Sequence, residues 1–353
     1  MTNLSHILDL PHNKLKEHLV TLGHKPFLAD QMMDWVYRKL ELNPEQWTNV
    51  SKAAKSSLPA QMRFNLPRIL TVKESSDSTT KFLLGFEDGN SVETVLIPGP
   101  DRLTVCLSTQ VGCAIGCTFC HTATQGLKRH LKPHEIVGQF MVAKKWAQEN
   151  RQTEVTNIVY MGQGEPLHNF ENCKTSAEIF MDLKGFGMGQ RKITLSTSGL
   201  IPQLKRFHEF PPINLAVSLH SAFDDKRTEL MPINKNYALD ELIETLYSIP
   251  LKAYRRITFE YLLIKDFNDT AEDALMLAKL LKRNTSKLNL IPFNEYPGSK
   301  YQRPSDEQIH HFRDLMINYG FTCTVRYSKG DDILAACGQL KSQAEKSLVK
   351  DMH

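Results

Sequence analysis

The sequence predicts an α/β protein. Its main body is a parallel sheet of six βα units, open or curled into most of a barrel, preceded by a helical segment and a β-hairpin. Three observations carry this. Residues 1 to about 62 keep apolar residues at helical spacing. Near residue 80 the period switches to that of strands joined by a tight turn. From about residue 103 short β-rich runs alternate with amphipathic stretches.

In the first segment, KLKEHLVTLG closes on a glycine, KPFLADQMMDWVYRKLEL carries an apolar face, and NPEQWTNVSKAAKSSLPAQM continues the pattern. KFLLGF and SVETVLI then flank EDGN, with Asp88-Gly89 at the turn. Alternation places Glu93 on the face of Val95 and Ile97, so this carboxylate sits at a wet edge or in a site. The six strands that follow are LTVCLS, VTNIVYM, KITLST, NLAVSL, RITFEYLLI and KLNLIPF. Helices are expected in PHEIVGQFMVAKKWAQE, NCKTSAEIFMDLK, IPQLKRFHE, LDELIETLYS and TAEDALMLAKLLKR; a last one, SDEQIHHFRDLMINYG, precedes the strand FTCTVRY. The expected divisions are a helical accessory domain at 1–80 that includes the start of the hairpin, a hairpin linker at 81–102, the core at 103–340 and a tail at 341–353.

With 353 residues, 41% of them hydrophobic, the chain affords one large core and a smaller unit. It opens without a charged-then-apolar leader and holds no run of about 18 apolar residues, so a cytoplasmic protein with no membrane partner is expected. Seven cysteines, an odd number, suit a compartment where disulfides are rarely structural. A net charge of +4 permits an RNA partner without demanding one.

In barrels of this kind chemistry sits at the carboxyl ends of the strands. Here those ends are Cys106 with the cysteine loop, MGQGEPL (161–167), STSG (196–199), SLHS (218–221) and Asn294. The loop CAIGCTFCH (113–121) has several readings. Cys117-Thr-Phe-Cys120-His121 matches a c-type haem attachment site, but that belongs to exported proteins. A structural zinc site wants two Cys-x-x-Cys knuckles, and only one is present. Three thiolates at Cys113, Cys117 and Cys120 suit a 4Fe–4S cluster, which takes one cysteine per iron and leaves a fourth iron open. S-adenosylmethionine chelates such an iron and yields a radical on one-electron cleavage. Gly112 and Gly116 ease the wrapping. Cys173 and Cys323 read as small buried hydrophobes, and Cys106 alone would read the same way.

The cysteine triplet together with PDRLTVCLSTQVG, MGQGEPL, ITLSTSG, VSLHS, LMPIN, NLIPFNEYPG and GDDILAACGQL resembles the RlmN/Cfr family of radical S-adenosylmethionine RNA adenosine methyltransferases, from about Lys25 to Leu340. The resemblance implies a partial (β/α)6 barrel of radical S-adenosylmethionine type, with Cys113, Cys117 and Cys120 as cluster ligands. It implies Gly164 and Glu165 at the methionine end of S-adenosylmethionine and Ser196, Ser218, Leu219, His220 and Asn294 around the rest, through side chains and backbone, with two molecules used per methylation. It further implies an S-methylcysteine on Cys337, radical addition of that carbon to adenine, resolution by a Cys106–Cys337 disulfide, and Glu93 as general base. The implied substrates are an adenosine of 23S ribosomal RNA in the peptidyl transferase centre, methylated at carbon 2, and adenosine 37 of transfer RNAs. The basic residues of the N-terminal helices, Lys14, Lys16, Lys25 and Arg38, would contact phosphates. A reductase such as flavodoxin is the implied electron donor to a monomeric enzyme. Pro166 favours the carbon-2 branch over the Cfr branch, which methylates carbon 8. Gln163 and His121 depart from the family, where methionine and a small residue are common. An iron–sulfur sensor that binds RNA is the alternative from another class.

Overall fold

The structure, a computed structural model, describes residues 4–252 and 254–342. Of the expected tail 341–353, residues 343–353 lie outside the described part. Ten strands form one sheet whose spatial order follows the chain. They are β1 (Arg68–Glu74), β2 (Thr80–Gly85), β3 (Ser91–Gly99), β4 (Arg102–Cys106), β5 (Asn157–Tyr160), β6 (Ile193–Thr197), β7 (Asn214–Ser218), β8 (Ile257–Leu263), β9 (Ser286–Pro292) and β10 (Thr322–Val325). From β4 to β10 every neighbouring pair is parallel. From β1 to β4 the pairs are antiparallel.

Parallel strands need crossovers, and helices supply them. These are α4 (Pro133–Arg151), α5 (Phe170–Met181), α6 (Ile201–Lys205), α7 (Asp224–Leu230) with α8 (Leu239–Ser248), α9 (Ala271–Leu280) and α10 (Asp306–Asn318), the numbering leaving α1 to α3 for the amino-terminal segment. Ile158, Leu195, Val217, Phe259, Tyr261 and Leu290 are fully enclosed, as both faces of a helix-covered sheet require. The six expected βα units and the closing strand are all present. Among the described residues no helix is long and apolar enough to cross a membrane.

Two elements differ from the sequence expectation. RILTVKE forms the edge strand β1, exposed at most positions, so burial writes little hydrophobic alternation into it. DDKRTEL forms α7, whose buried side chains are Arg227 and Leu230, and one leucine cannot show a helical period. The hairpin strands β2 and β3 are hydrogen-bonded into the same sheet as the core.

The amino-terminal segment holds α1 (His12–Thr21), α2 (Leu28–Met33) and α3 (Lys52–Gln61) around buried Leu15, Leu19, Met32, Trp47 and Leu58. Ser5–His6 pairs in parallel with Met62–Arg63, closing the segment on itself. It docks on α4, where the His6 ring stacks on His134 at 4.3 Å and His134 Nδ1 lies 2.9 Å from Asp9 Oδ2. Lys14 and Lys25 are exposed. Lys16 stands 3.8 Å from Asp30, and Arg38 donates to the Leu183 carbonyl at 2.9 Å.

Phe82 on β2 is fully buried and meets Trp146 of α4 edge-on at 5.4 Å. Phe82→Ala removes that ring from a packed site and is expected to cost about 3–5 kcal/mol. Urea unfolding followed by circular dichroism would measure it.

Candidate active site

The carboxyl ends of the parallel strands open on one cavity, and the cysteine loop covers it. Cys113, Cys117 and Cys120 line this cavity together with Gly164, Glu165, Ser196, Ser218, His220 and Cys337. The loop turns at Gly112 with φ 77°, where an added Cβ would lie 1.7 Å from the Gly126 carbonyl oxygen. Only glycine fits that turn. Cys113 N–H donates to the same oxygen at 3.1 Å, and Thr118 N–H donates to Leu230 O at 2.9 Å.

Burial pushes the Cys113 thiol up to about 12, and it raises Cys117 and Cys120 as well. Among the described residues no three His, Cys, Asp or Glu side chains converge on a single metal ion. The three thiols instead share one cavity wall, as ligands of three different irons in a cube would. A nearby cation supports the same fit. Arg227 is 1% exposed, its Nε has no hydrogen-bond partner, and no carboxylate among the described residues lies within ion-pair distance. Burial lowers its guanidinium to about 10, while Cys117 is the charge that most favours its protonated form. A buried cation beside unpaired thiols fits an anionic group at this place, and a thiolate-bound iron–sulfur cluster is one.

Glu165, after the Gly164 turn, is 4% exposed. Its carboxylate accepts from Leu167 N–H at 2.9 Å, Thr197 Oγ1–H at 2.7 Å and Ser198 N–H at 2.7 Å. Three of about four acceptor positions are thus taken within the protein, leaving one that a ligand's donor could use. Burial raises its carboxyl. His220 has φ 60°, a conformation uncommon outside glycine. Its Nδ1 accepts from Leu262 N–H at 3.0 Å, and burial lowers the imidazole to about 3, so it is neutral.

Two expected residues stand elsewhere. Leu219 is fully buried and absent from the cavity lining; only its main chain, donating to Glu260 O at 2.9 Å, faces the strand ends. Asn294 lines a neighbouring cavity of about 30 Å³ and donates through Nδ2 to the Cys337 carbonyl at 3.0 Å. That small cavity also contains Cys106 and Cys337. Cys337 therefore lines both spaces. Burial, with the nearby Cys337 next in weight, pushes Cys106 up to about 12. Arg326 lies against the same pair, and its guanidinium is raised chiefly by Cys337.

Glu93 lines a third space, an open groove of about 1220 Å³ that also contains Lys73, Lys81, Lys128, His121 and Lys341. Its Oε1 is 2.9 Å from Lys81 Nζ and its Oε2 accepts from Lys341 N–H at 2.8 Å. Gln163 accepts the Glu93 N–H at 2.8 Å through Oε1, a bond methionine could not replace. The His121 ring stacks on Tyr296 at 4.8 Å and 9°.

Sequence reasoning missed Glu260, which accepts from Ser196 Oγ–H at 2.5 Å and lines the thiol cavity. The signal was there: a lone carboxylate inside the apolar strand RITFEYLLI. Arg227 and Arg326 offered none.

Gly112→Ala is expected to lower the iron retained after anaerobic reconstitution severalfold, because the Gly126 carbonyl must move. Gly116→Ala, with φ 76° but nothing within 4 Å of the added Cβ, should keep its iron and lose only about 1–2 kcal/mol of stability. Iron analysis and thermal melts of the two variants would separate these outcomes.

Comparison with known proteins identifies the family. The Radical SAM superfamily matches residues 107–280, and the ribosomal RNA large subunit methyltransferase N-terminal domain matches residues 2–63. A protein of Paramagnetospirillum magneticum named dual-specificity RNA methyltransferase RlmN is 44% identical over 350 residues, covering 97% of this chain and 77% of that one. The crystal structure of a radical SAM methyltransferase from Sphaerobacter thermophilus superposes with a TM-score of 0.88 at 39% identity, covering 96% of this chain and 99% of that one. The superfamily works with S-adenosylmethionine and a 4Fe–4S cluster, and within it this chain belongs to the RlmN family of RNA methyltransferases.

Proposed function

We propose that this enzyme methylates carbon 2 of an adenosine in the peptidyl transferase centre of 23S ribosomal RNA, and of adenosine 37 in transfer RNAs. The observation that carries the reading is the place of Cys337, on the wall between the thiol cavity and the pocket of Cys106. A residue that is loaded on one side and released on the other needs such a place. The relative's name, dual-specificity RNA methyltransferase, and the ribosomal RNA methyltransferase domain over residues 2–63 support the substrate class. In this reading 1–80 is an RNA-binding accessory unit, 81–102 its link to the core at 103–340, and an external reductase supplies electrons to a monomer.

Cys113, Cys117 and Cys120 would hold the cluster, and Gly164, Glu165, Ser196, Ser218 and His220 would surround S-adenosylmethionine, with Leu219 contributing main chain only. Bound there, the pair supplies one-electron chemistry that makes an unactivated carbon–hydrogen bond reactive. Cys337 carries the methyl carbon, and Asn294 fixes its main chain through the carbonyl. Glu93 faces the groove, where it accepts the carbon-2 proton as the adduct gives up its unpaired electron, for which the one-electron centre that Cys113, Cys117 and Cys120 would hold is the acceptor. Cys106 then attacks the Cys337 sulfur. A sulfur–sulfur bond forms, the sulfur–carbon bond breaks, and the departing carbon takes the electron pair and a proton to become the methyl group. The Cys106 pocket has room for a water or two. The pocket is too small for a base.

An anaerobic assay on unmodified ribosomal and transfer RNA fragments, with carbon-2 and carbon-8 methyladenosine standards, tests the reading. Carbon-8 product would overturn the position, and failure to cleave S-adenosylmethionine would favour a sensor. Cys117→Ala should lose the cluster and its brown colour. Cys337→Ala should keep the colour and accept no labelled methyl group. Cys106→Ala should accumulate a protein–RNA adduct, seen as a nuclease-sensitive shift on a denaturing gel. Normal turnover without adduct in that variant would overturn the resolving role.

A further inference from the structure

Lys81 has no part in the reading above, yet it sits at its centre. In the β2–β3 pairing Leu83 opposes Glu93 and Lys81 opposes Val95. Lys81 and Glu93 are therefore diagonal neighbours on one face, close enough for a long side chain to bridge. The two side chains are 10% and 9% exposed, and Nζ lies 2.9 Å from Glu93 Oε1. The same ammonium donates to the Leu334 carbonyl at 2.9 Å. Leu334 has φ 54°, which a non-glycine residue holds only when its surroundings enforce it. It lies three residues before Cys337.

We propose that Lys81 is a positioning residue for methyl transfer, fixing the Glu93 carboxylate and, through the Leu334 carbonyl, the turn that leads into Cys337. The proposal rests on Glu93 acting as the base. Lys81 leaves Glu93 with two fixed partners, its own ammonium on one oxygen and Lys341 N–H on the other. A buried carboxylate stripped of its counter-charge is both costly and free to turn. The other reading of Lys81, a phosphate contact in the groove, suits its neighbours better. Lys73 and Lys128 are exposed on the same groove, whereas Lys81 is buried and spends two of its three donors on the protein.

The test is steady-state methylation of an RNA fragment by the reconstituted full chain carrying K81M, K81R, E93Q, or K81M and E93Q together. K81M is expected to lower kcat by about 100-fold while the RNA KM changes less than about threefold. K81R, which keeps the charge, should recover most of the loss. The double variant should lose less than the product of the two single losses, because the part of Lys81's role that runs through Glu93 has nothing left to position, while its hold on the Leu334 carbonyl remains to be lost. Should K81M fail to fold, K81Q replaces it. It keeps a donor for Leu334 without the charge, and the same kcat loss is expected. A raised KM with unchanged kcat and a flatter salt dependence would make Lys81 a phosphate contact and overturn the proposal. Additive losses in the double variant would overturn it as well. Normal turnover by E93Q would remove the base assignment itself, and impaired K81M beside it would show Lys81 acting by another route. An impaired E93Q beside a normal K81M would sink the Lys81 proposal alone.

Discussion

In the pairing of β3 with β4, Val95 lies opposite Cys106, the last residue of β4, and Gly99 lies opposite Arg102. The strands are antiparallel, so the beginning of β3 runs past the carboxyl end of β4 and over the mouth of the parallel sheet. Glu93 belongs to that overhang. One ladder of hydrogen bonds thus sets both a cysteine at the edge of the cavity and a carboxylate above it. A one-residue slip would turn Glu93 to the opposite face and remove it from the groove. β2 continues the ladder and brings Lys81 to the same face. The antiparallel meander before the core is therefore part of the site's architecture.

The segment after β10 is held from two sides. Toward the meander, Ser75 Oγ–H and Ser76 N–H donate to the Asp332 carboxylate, and Gly330 N–H donates to Asp77. Toward the cysteine loop, His121 N–H donates to Gly338 O at 2.7 Å, Thr122 Oγ1–H to Leu340 O at 2.6 Å, and Gln125 Nε2–H to Ser342 O at 3.0 Å. Cys337 hangs between these anchors. The loop that would hold iron and the segment that contains Cys337 are thus hydrogen-bonded to one another. Geometry at one is transmitted to the other without any intervening element.

Much of this was legible in the sequence where a physical constraint leaves a residue-level trace. Strand burial on both faces writes apolar runs, so β4 to β9 could be read off. Positive-φ turns write glycine, so the loop at Gly112 and the turn at Gly164 announced themselves beside the cysteines. The edge strand β1 and the polar helix α7 lacked such a trace, because neither buries enough apolar surface to set a period. Leu219 and Asn294 illustrate a different limit. Strand-end position was read correctly for both, yet one presents only main chain and the other grips Cys337 from the adjoining pocket. Which way a side chain faces at a strand end depends on the next strand's register. No single run of residues contains that information.

The buried charges around the cavity and the groove each need compensation. Glu165, Glu260, Arg227, Lys81 and Glu93 are all buried. Taking such groups out of water costs several kcal/mol each unless hydrogen bonds and counter-charges replace the solvent. For Glu165 three donors do so, and for Glu93 the ammonium of Lys81 and one main-chain amide do. Glu260 accepts from Ser196 on one oxygen. Arg227 has oxygen acceptors in Ser198 and Asn234; among the described residues no carboxylate lies within ion-pair distance, Asp224 acts on it only from farther off, and its Nε is unpaired. Its compensation is incomplete within the chain itself. An anionic cluster on the adjacent thiols would complete it. A cluster bound there would stabilise the folded chain in part through that residue, since whatever binds only the folded state stabilises it.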